Sequence, residues 1–173
     1  MKIALTGTPG VGKSEVSKIL KKMGYKILRI DEIYEKFVVG YDEQRNSKIV
    51  DEKKMDKEIK KIKEEGVLII EGHLSHLMSV DGVIILRCHP EELKRRLIKK
   101  GWGENKIREN AEAEALDIIL QKALQKHKNI WEIDVTDKSI KEVAEEIRRI
   151  IEEKIPPNYG KIDYSEWLIE NAR

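Results

Sequence analysis

Gly7-Thr8-Pro9-Gly10-Val11-Gly12-Lys13-Ser14 is the most informative segment of this chain of 173 residues. It matches the pattern G-x-x-x-x-G-K-[ST], in which glycines keep side chains away from backbone N–H groups that point inward at a polyphosphate. The segment Lys2 to Thr6 before it predicts a short buried strand. The apolar spacing after it predicts a helix from Lys13 to Lys22. Because the pattern requires this order of strand, loop and helix, we predict a triphosphate-binding site here.

Each part of this loop has a chemical task. The N-terminus of the following helix directs its positive dipole end at the phosphates. Lys13 adds a full charge on the β and γ oxygens, and Ser14 offers its hydroxyl to Mg²⁺. We therefore expect ATP and Mg²⁺ as the cofactors, although the loop does not specify the base. The predicted nucleotide-binding residues are Gly7, Gly10, Val11, Gly12, Lys13, Ser14, Glu15 and Lys100.

Composition excludes several other classes of protein. Lys and Arg number 34 and Asp and Glu number 32, so the net charge is only +2, although 38% of the residues are charged. This balance argues against a polybasic DNA-binding surface and against an acidic tail. The single cysteine, Cys88, excludes a disulfide framework. No apolar run approaches the ~20 residues of a membrane span, and no signal-peptide pattern is present, so we expect a cytoplasmic protein without a membrane partner.

Strands and helices alternate along the chain, which predicts an α/β fold with a mainly parallel sheet. Segment 40–51 is polar and irregular, and segments 31–65 and 100–112 look like excursions from the sheet that could form lids. Further strands are expected over Lys26–Ile30, Val67–Ile70, Val83–Leu86 and Asn129–Asp134. Helices are expected from Asp31 to about Val38 and over Glu52–Glu65, Pro90–Lys100, Glu104–His127 and Ser139–Lys154.

Besides the Ser14 hydroxyl, a magnesium site of this kind needs an acidic side chain near the water shell of the metal. Two candidates lie next to predicted strands. Glu71 follows the strand Val67–Ile70, whereas Asp81 precedes the next strand. We favour Glu71, because ligands of such sheets lie beyond the carboxyl ends of the strands. His73 lies at the same edge and is a candidate for positioning water or contacting phosphate. His76 is more typical of a structural histidine.

The basic segment Lys94 to Trp102 has two interpretations. It is either a solvated helix face, the commonest fate of such a run, or a lid that presents cations to the transferring phosphoryl group. Under the second interpretation Arg96 and Lys100 share one helix face, and Arg108 follows beyond the loop. The predicted catalytic residues are Lys13, Glu71, His73, Arg96, Lys100 and Arg108.

The chain also resembles a known family, and the resemblance spans residues 1 to about 152. It is carried by Gly7–Ser14, Gly40-Tyr41-Asp42-Glu43, Val50-Asp51-Glu52, Glu71-Gly72-His73, Leu86-Arg87, Arg96–Gly101 and Glu109-Asn110-x-Glu112-x-Glu114. The family is that of adenylate-kinase-like NTPases, which includes the nuclear coilin-interacting ATPase of animals and the yeast small-ribosomal-subunit maturation factor. Glu71 and His73 match the family's acid-x-His motif, with Glu in place of the usual Asp. Lys100 stands where many relatives have Arg.

The resemblance implies a three-layer nucleoside-monophosphate-kinase fold with strand order 2-3-1-4-5. It implies a monophosphate-binding insert at about 30–53 and a lid at about 99–109. We predict one domain over residues 1–154 and, with Pro156-Pro157 near its start, a tail over 155–173 that has no counterpart in the eukaryotic members. The resemblance also implies transfer of a phosphoryl group from ATP to AMP, ATP hydrolysis and a role in maturation of small-subunit ribosomal RNA. The implied partners are a small-subunit ribosomal protein and pre-ribosomal RNA.

Two alternatives and two questions stay open at this point. The chain could be an assembly factor that uses ATP to bind and release a ribosomal protein, with kinase activity secondary. It could also be a shikimate or dephospho-coenzyme A kinase, but those carry Asp-x-Asp after the second strand, whereas Arg29-Ile30-Asp31 offers one Asp. Arg29 and Arg45 are the available cations for a monophosphate, and neither lies in a recognised motif. The tail aromatics Tyr159, Tyr164 and Trp167 could pack on the domain or anchor a partner.

Overall fold

The computed structural model describes residues 1–172 and contains a five-stranded parallel sheet and a two-stranded hairpin. The strands are β1 (Lys2–Gly7), β2 (Lys26–Arg29), β3 (Val38–Asp42), β4 (Ser47–Val50), β5 (Leu68–Glu71), β6 (Gly82–Arg87) and β7 (Ile130–Asp134). The sheet has the order β2-β5-β1-β6-β7, and β3 pairs with β4 in the hairpin. Counting only the strands of the large sheet, this is the predicted order 2-3-1-4-5, which confirms the fold class.

Helices cover both faces of the sheet and make three layers. They are α1 (Lys13–Lys22), α2 (Glu52–Lys61), α3 (Pro90–Lys99), α4 (Glu104–Ala115), α5 (Ile118–Leu124), α6 (Ile140–Glu152) and α7 (Ser165–Asn171). Successive residues of a strand point to opposite faces, so Leu5 packs in the cluster of α1, α3 and α6. Its neighbour Ala4 packs in the cluster of α5 on the other face. Because all five strands run parallel, their carboxyl ends lie at one edge of the sheet, where the loop after β1 also lies.

The helix predicted to begin at Asp31 is wrong, and so is the irregular structure predicted for residues 40–51. Two short 3₁₀ turns, at Ile30–Glu32 and Tyr34–Phe37, replace the helix. The chain then enters the β3–β4 hairpin, which closes where the Asp51 N–H donates to the Phe37 carbonyl at 2.7 Å. Ile33 and Phe37, two of the apolar side chains that suggested a helix, instead pack in the cluster of Met55 and Ile59 of α2. Tertiary packing thus overrides the local periodicity.

The long helix predicted over Glu104–His127 is broken into α4 and α5. Asp117 lies at the break with a positive φ of 56°, a conformation that ends a right-handed helix. Its carboxylate accepts a bond of 2.6 Å from the Arg87 guanidinium at the end of β6. This contact holds the break in place, and it depends on a residue 30 positions away.

The tail packs back on the domain, which settles one of the open questions. Tyr164 and Trp167 are buried against Ala111 and Ala115 of α4, and Tyr159 is exposed. Helix α7, which carries Trp167, was not predicted. Arg173, the last residue of the predicted tail segment, lies outside the described residues. Across residues 1–172, the helices are all too short or too polar to cross a bilayer.

Candidate active site

The loop between β1 and α1 has the backbone geometry that the glycines predicted. Gly10 and Gly12 have φ angles of +97° and +101°, a region that side chains disfavour. A Cβ atom on Gly10 would also lie 2.9 Å from the Leu97 Cδ2 atom of α3. Gly12 is the N-cap of α1, so the loop leads directly into the N-terminus of that helix. The N-terminal N–H groups of α1 thus face the loop, as phosphate binding requires.

Lys13 holds its charge inside this loop. Its Nζ donates to the carbonyl oxygens of Gly7 at 2.6 Å and Thr8 at 3.2 Å. Burial lowers the pKa of the Lys13 ammonium to about 8, against the opposing attraction of Glu71 and Asp31. The two loop carbonyls hold the Lys13 ammonium in place. Because an ammonium has three N–H donors, one remains for a phosphate oxygen.

A cavity of about 290 Å³ lies over the loop, and we call it the phosphate hollow. It brings together residues from four separate parts of the chain: the loop, the end of β2, the end of β5 and the turn after α3. Its lining is Pro9, Gly10, Gly12, Lys13, Ser14, Glu15, Asp31, Glu71, Gly72, His73, Lys100 and Trp102. Most of the predicted site residues therefore share one space, including Glu71, His73 and Lys100.

Glu71 and Ser14 face each other across an arginine. The Arg29 Nε donates to the Glu71 Oε2 at 3.1 Å, and the Arg29 Nη2 donates to the Ser14 Oγ at 3.2 Å. Burial raises the pKa of the Glu71 carboxyl, against the lowering effect of Arg29 and Lys13. Asp81, the alternative acid, accepts a bond from the Lys2 N–H at the opposite edge of the sheet.

The oxygens of Ser14 and Glu71 fit a magnesium ion that binds together with a nucleotide. Hydroxyl and carboxylate oxygens are hard ligands of the kind that Mg²⁺ prefers. Within residues 1–172 there is no cluster of three or more His, Cys, Asp or Glu side chains that could hold a metal by itself. Mg²⁺ is usually held by one or two protein side chains together with substrate phosphates and water.

The two histidines after β5 have different environments. His73 is exposed to the phosphate hollow, and the surrounding protein together with the Lys13 charge lowers the pKa of its ring. His76 is buried, and its Nδ1 shares a hydrogen bond of 2.9 Å with the Thr6 hydroxyl. Burial lowers the pKa of His76 to about 3. His76 is therefore a neutral structural histidine, as the sequence suggested.

A second and larger cavity of about 940 Å³ adjoins the phosphate hollow, and we call it the acceptor hollow. It lies between the β3–β4 hairpin and the end of β2. Asp31 and His73 line both cavities and so mark their junction. The acceptor hollow is lined by Ile30, Asp31, Tyr34, Glu35, Tyr41, Asp42, Arg45, Asn46, Ser47, Lys48, Ile49, Val50, Glu52, His73 and Leu74.

Two predicted catalytic arginines lie outside the phosphate hollow. The Arg96 guanidinium donates to the carbonyl oxygens of Val11 and Val135, each at 3.3 Å. With these two residues it lines a neighbouring cavity of about 370 Å³, which shares Gly10, Gly12, Glu15 and Lys100 with the phosphate hollow. Arg108 pairs with Glu112 at 2.9 Å and lies in a groove beside Trp167. The structure thus brings neither arginine to Lys13.

The sequence analysis did not assign Arg29 to the metal position. Arg29 pairs in register with Glu71 across the parallel strands β2 and β5, so the sheet itself places the two side chains together. The sequence carried one signal for this. Arg29 occupies the first position of the segment Arg29-Ile30-Asp31, where related small-molecule kinases were expected to carry an acid.

The strand order and the glycine loop define a P-loop protein with the nucleoside-monophosphate-kinase fold. A family described as "AAA domain" matches residues 3–117. Archaeal proteins named "Putative adenylate kinase" match over most of their length. The Archaeoglobus fulgidus protein is 44% identical over 87% of this chain and 82% of its own, and the Methanocaldococcus jannaschii protein is 39% identical over 96% and 94%. The chain therefore belongs to the P-loop family of these archaeal proteins named "Putative adenylate kinase".

Solved structures support the fold alone. Shikimate kinase from Acinetobacter baumannii superimposes with a TM-score of 0.62 at 17% identity, covering 88% of this chain and 93% of that chain. Shikimate kinase from Bacteroides thetaiotaomicron gives 0.55 at 19% identity, over 88% and 98%. At such low identity the shared feature is the arrangement of strands and helices, and the substrate does not carry over.

Proposed function

We propose that this protein is a Mg-ATP-dependent nucleoside monophosphate kinase that converts ATP and AMP to two ADP, with intrinsic ATPase activity. One observation carries the proposal: two cavities, one over the P-loop and one against the hairpin, meet at Asp31 and His73. A donor triphosphate in the first and a monophosphate in the second would bring their phosphates together at this junction. The names of the archaeal relatives support the same activity.

Different residues of the phosphate hollow would bind the phosphates and the metal ion. The loop N–H groups and Lys13 bind the β and γ phosphates, and Lys100 adds a charge from the turn after α3. Ser14 would hold Mg²⁺ directly, and Glu71 would hold it through a water molecule. When bound, Mg²⁺ supplies charge neutralisation on the phosphoryl oxygens. No side-chain nucleophile is needed, because the acceptor phosphate is already ionised.

Two segments that lie outside the sheet would move when the substrates bind. Residues 30–53, which contain the hairpin, form the monophosphate-binding insert, and residues 99–109 form the lid within a domain over 1–154. Lys100 and Trp102 of this lid already line the phosphate hollow. Arg108 lies on the lid helix α4, so contact with the transferring phosphoryl group would require the lid to close. Arg96 would serve through its bond to the Val11 carbonyl of the loop.

Replacement of Lys13 tests the proposal most directly. Lys13→Ala should lower AMP-dependent ADP formation by at least about 100-fold, because it removes the ammonium group that the loop carbonyls hold for the β and γ phosphates. Lys18→Ala removes an exposed lysine from the same helix and should retain wild-type turnover. Circular dichroism should show the same fold in both. Wild-type turnover of a folded Lys13→Ala protein would contradict the assignment.

The choice of acceptor separates this proposal from its alternatives. The role in ribosomal RNA maturation, the ribosomal partners and the cytoplasmic location rest on the family resemblance and composition. An assay of ADP formation with AMP, with shikimate, or with a small-subunit ribosomal protein and ribosomal RNA distinguishes these functions. Strong acceleration by AMP supports the kinase. Acceleration by the ribosomal components alone would support an assembly ATPase. Acceleration by shikimate alone would support a shikimate kinase.

A further inference from the structure

The Arg29 guanidinium lies between the two oxygens to which the proposed function assigns the magnesium ion. Its Nε bonds the Glu71 carboxylate at 3.1 Å, and its Nη2 bonds the Ser14 hydroxyl at 3.2 Å. The Nη2 also lies 3.9 Å from the Asp31 carboxylate. One cationic side chain thus bridges both groups that would hold the metal.

This arrangement follows from the sheet and is not an accident of one flexible side chain. Arg29 is the last residue of β2 and Glu71 is the last of β5, and the two are register partners. The Glu71 side chain is buried to 3% exposure, which limits where its carboxylate can go. The Arg29 side chain keeps 36% exposure, so its outer nitrogens have room to turn.

The local charges oppose entry of a free divalent ion. Glu71 already has Arg29 as a counter-ion, and the Lys13 ammonium is close enough to attract Glu71 as well. A guanidinium stays protonated at all ordinary pH values, so it cannot make room by losing its charge. An ion of charge +2 placed between Ser14 and Glu71 would meet strong repulsion at short range.

We infer that Arg29 is a positioning residue that keeps the metal site closed to free divalent ions, so that magnesium enters only with the triphosphate. The inference rests on the proposed function of this site. The phosphates of the incoming nucleotide give Arg29 new oxygen partners and neutralise the repulsion. Arg29 uses different nitrogens for its two bonds, so Nη2 can release Ser14 while Nε keeps Glu71 in place.

Binding of Mn²⁺ without nucleotide tests this inference, measured by electron paramagnetic resonance on the full chain. Arg29→Met should bind free Mn²⁺ at least about tenfold more tightly than wild type, since it removes the charge that repels the ion. Arg95→Met is the matched control, because Arg95 is 68% exposed on α3 and changes the net charge equally. Arg29→Met combined with Glu71→Gln should lose the gained affinity, because the carboxylate charge that attracts the ion is gone.

The outcomes separate this inference from the proposed function. If Arg29→Met binds free Mn²⁺ no better than wild type, or if Arg95→Met gains as much, Arg29 does not guard the site. Should Arg29→Met fail to fold, Arg29→Gln keeps a hydrogen-bond donor for Glu71 without the charge, and the same gain is expected. Calorimetry of Mg-ATP binding to the wild-type protein tests the proposed function separately. If no binding is measured, the proposed nucleotide site itself is wrong, whatever the Mn²⁺ experiment shows.

Discussion

At the scale of single residues, the site is organised by charges whose partners are backbone atoms or distant side chains. Lys13 is held by two carbonyl oxygens of its own loop, and Glu71 is held by Arg29 from the neighbouring strand. The first contact is local and could be predicted from the glycine pattern. The second spans 42 positions and depends on strand register, so the sequence pattern did not reveal it.

His76 gives a residue-scale prediction about acid stability. Burial lowers the pKa of His76 from its ordinary value of 6.5 to about 3 in the folded protein, so the unfolded state binds the extra proton as the pH falls below 6.5. Stability present above pH 6.5 is therefore lost as the pH decreases toward 3. Between pH 7 and 5, His76 should cost the wild type about 2 kcal/mol of unfolding free energy.

Urea denaturation of wild type and His76→Asn at both pH values measures this loss. Asn keeps an acceptor near the position of Nδ1, toward the Thr6 hydroxyl, but does not titrate. The wild type should therefore lose more stability than the variant on acidification. Equal losses in the two proteins would show that His76 becomes protonated in the folded state.

At the scale of elements, segments with one continuous buried face were predicted well. Helix α1 was predicted over Lys13–Lys22 and has those bounds, and α3 ends within one residue of its prediction. The hairpin and α7 were missed because their strands and helix are short, and their stability comes from packing rather than from periodicity. The break before α5 was missed because Asp117 is fixed by Arg87 from another element.

Helix α7 supplies the prediction for this scale. The Trp167 ring packs on α4, and its Nε1 donates to the Glu91 carboxylate of α3 at 2.7 Å. Trp167→Ala should lower the free energy of unfolding by about 3 kcal/mol, because it leaves a cavity at this contact. Trp167→Phe keeps a ring and loses the hydrogen bond, so about 1 kcal/mol is expected.

Chemical denaturation of the two tryptophan variants distinguishes packing from hydrogen bonding. A loss for Trp167→Ala that is no larger than the loss for Trp167→Phe would mean that the ring contributes little packing. In that case the tail would be attached to the domain mainly through the bond to Glu91.

At the scale of the whole molecule, a buried ion network joins the sheet to the helices. Arg87 ends β6 and bonds to Glu114 of α4 at 2.9 Å, to Asp117 before α5, and to Glu132 of β7. The Glu114 carboxylate also accepts from the Cys88 N–H at 3.0 Å. The network therefore fixes the C-terminal end of α4, beyond residues 99–109, relative to the edge of the sheet that carries the site.

The burial of this network decides how much Arg87 contributes to stability. Arg87→Met should lower the free energy of unfolding by about 3 to 5 kcal/mol, because buried carboxylates lose their counter-ion. Arg148→Met is the control, since Arg148 also pairs with two carboxylates but is 31% exposed, against 2% for Arg87. The loss of stability for Arg148→Met should be much smaller than for Arg87→Met, because solvent screens exposed ion pairs. Similar melting temperatures for the two variants would refute this difference.

The sequence by itself determined the P-loop, the parallel sheet and the presence of Glu71 and His73 at its edge. These features follow from local requirements: glycines for inward N–H groups, and continuous apolar runs for strands buried on both faces. Only the tertiary structure decided that Arg29 meets Ser14 and Glu71, and that Asp31 and His73 join two cavities. Such contacts depend on register and on chain crossovers, and neither leaves a periodic mark on the sequence.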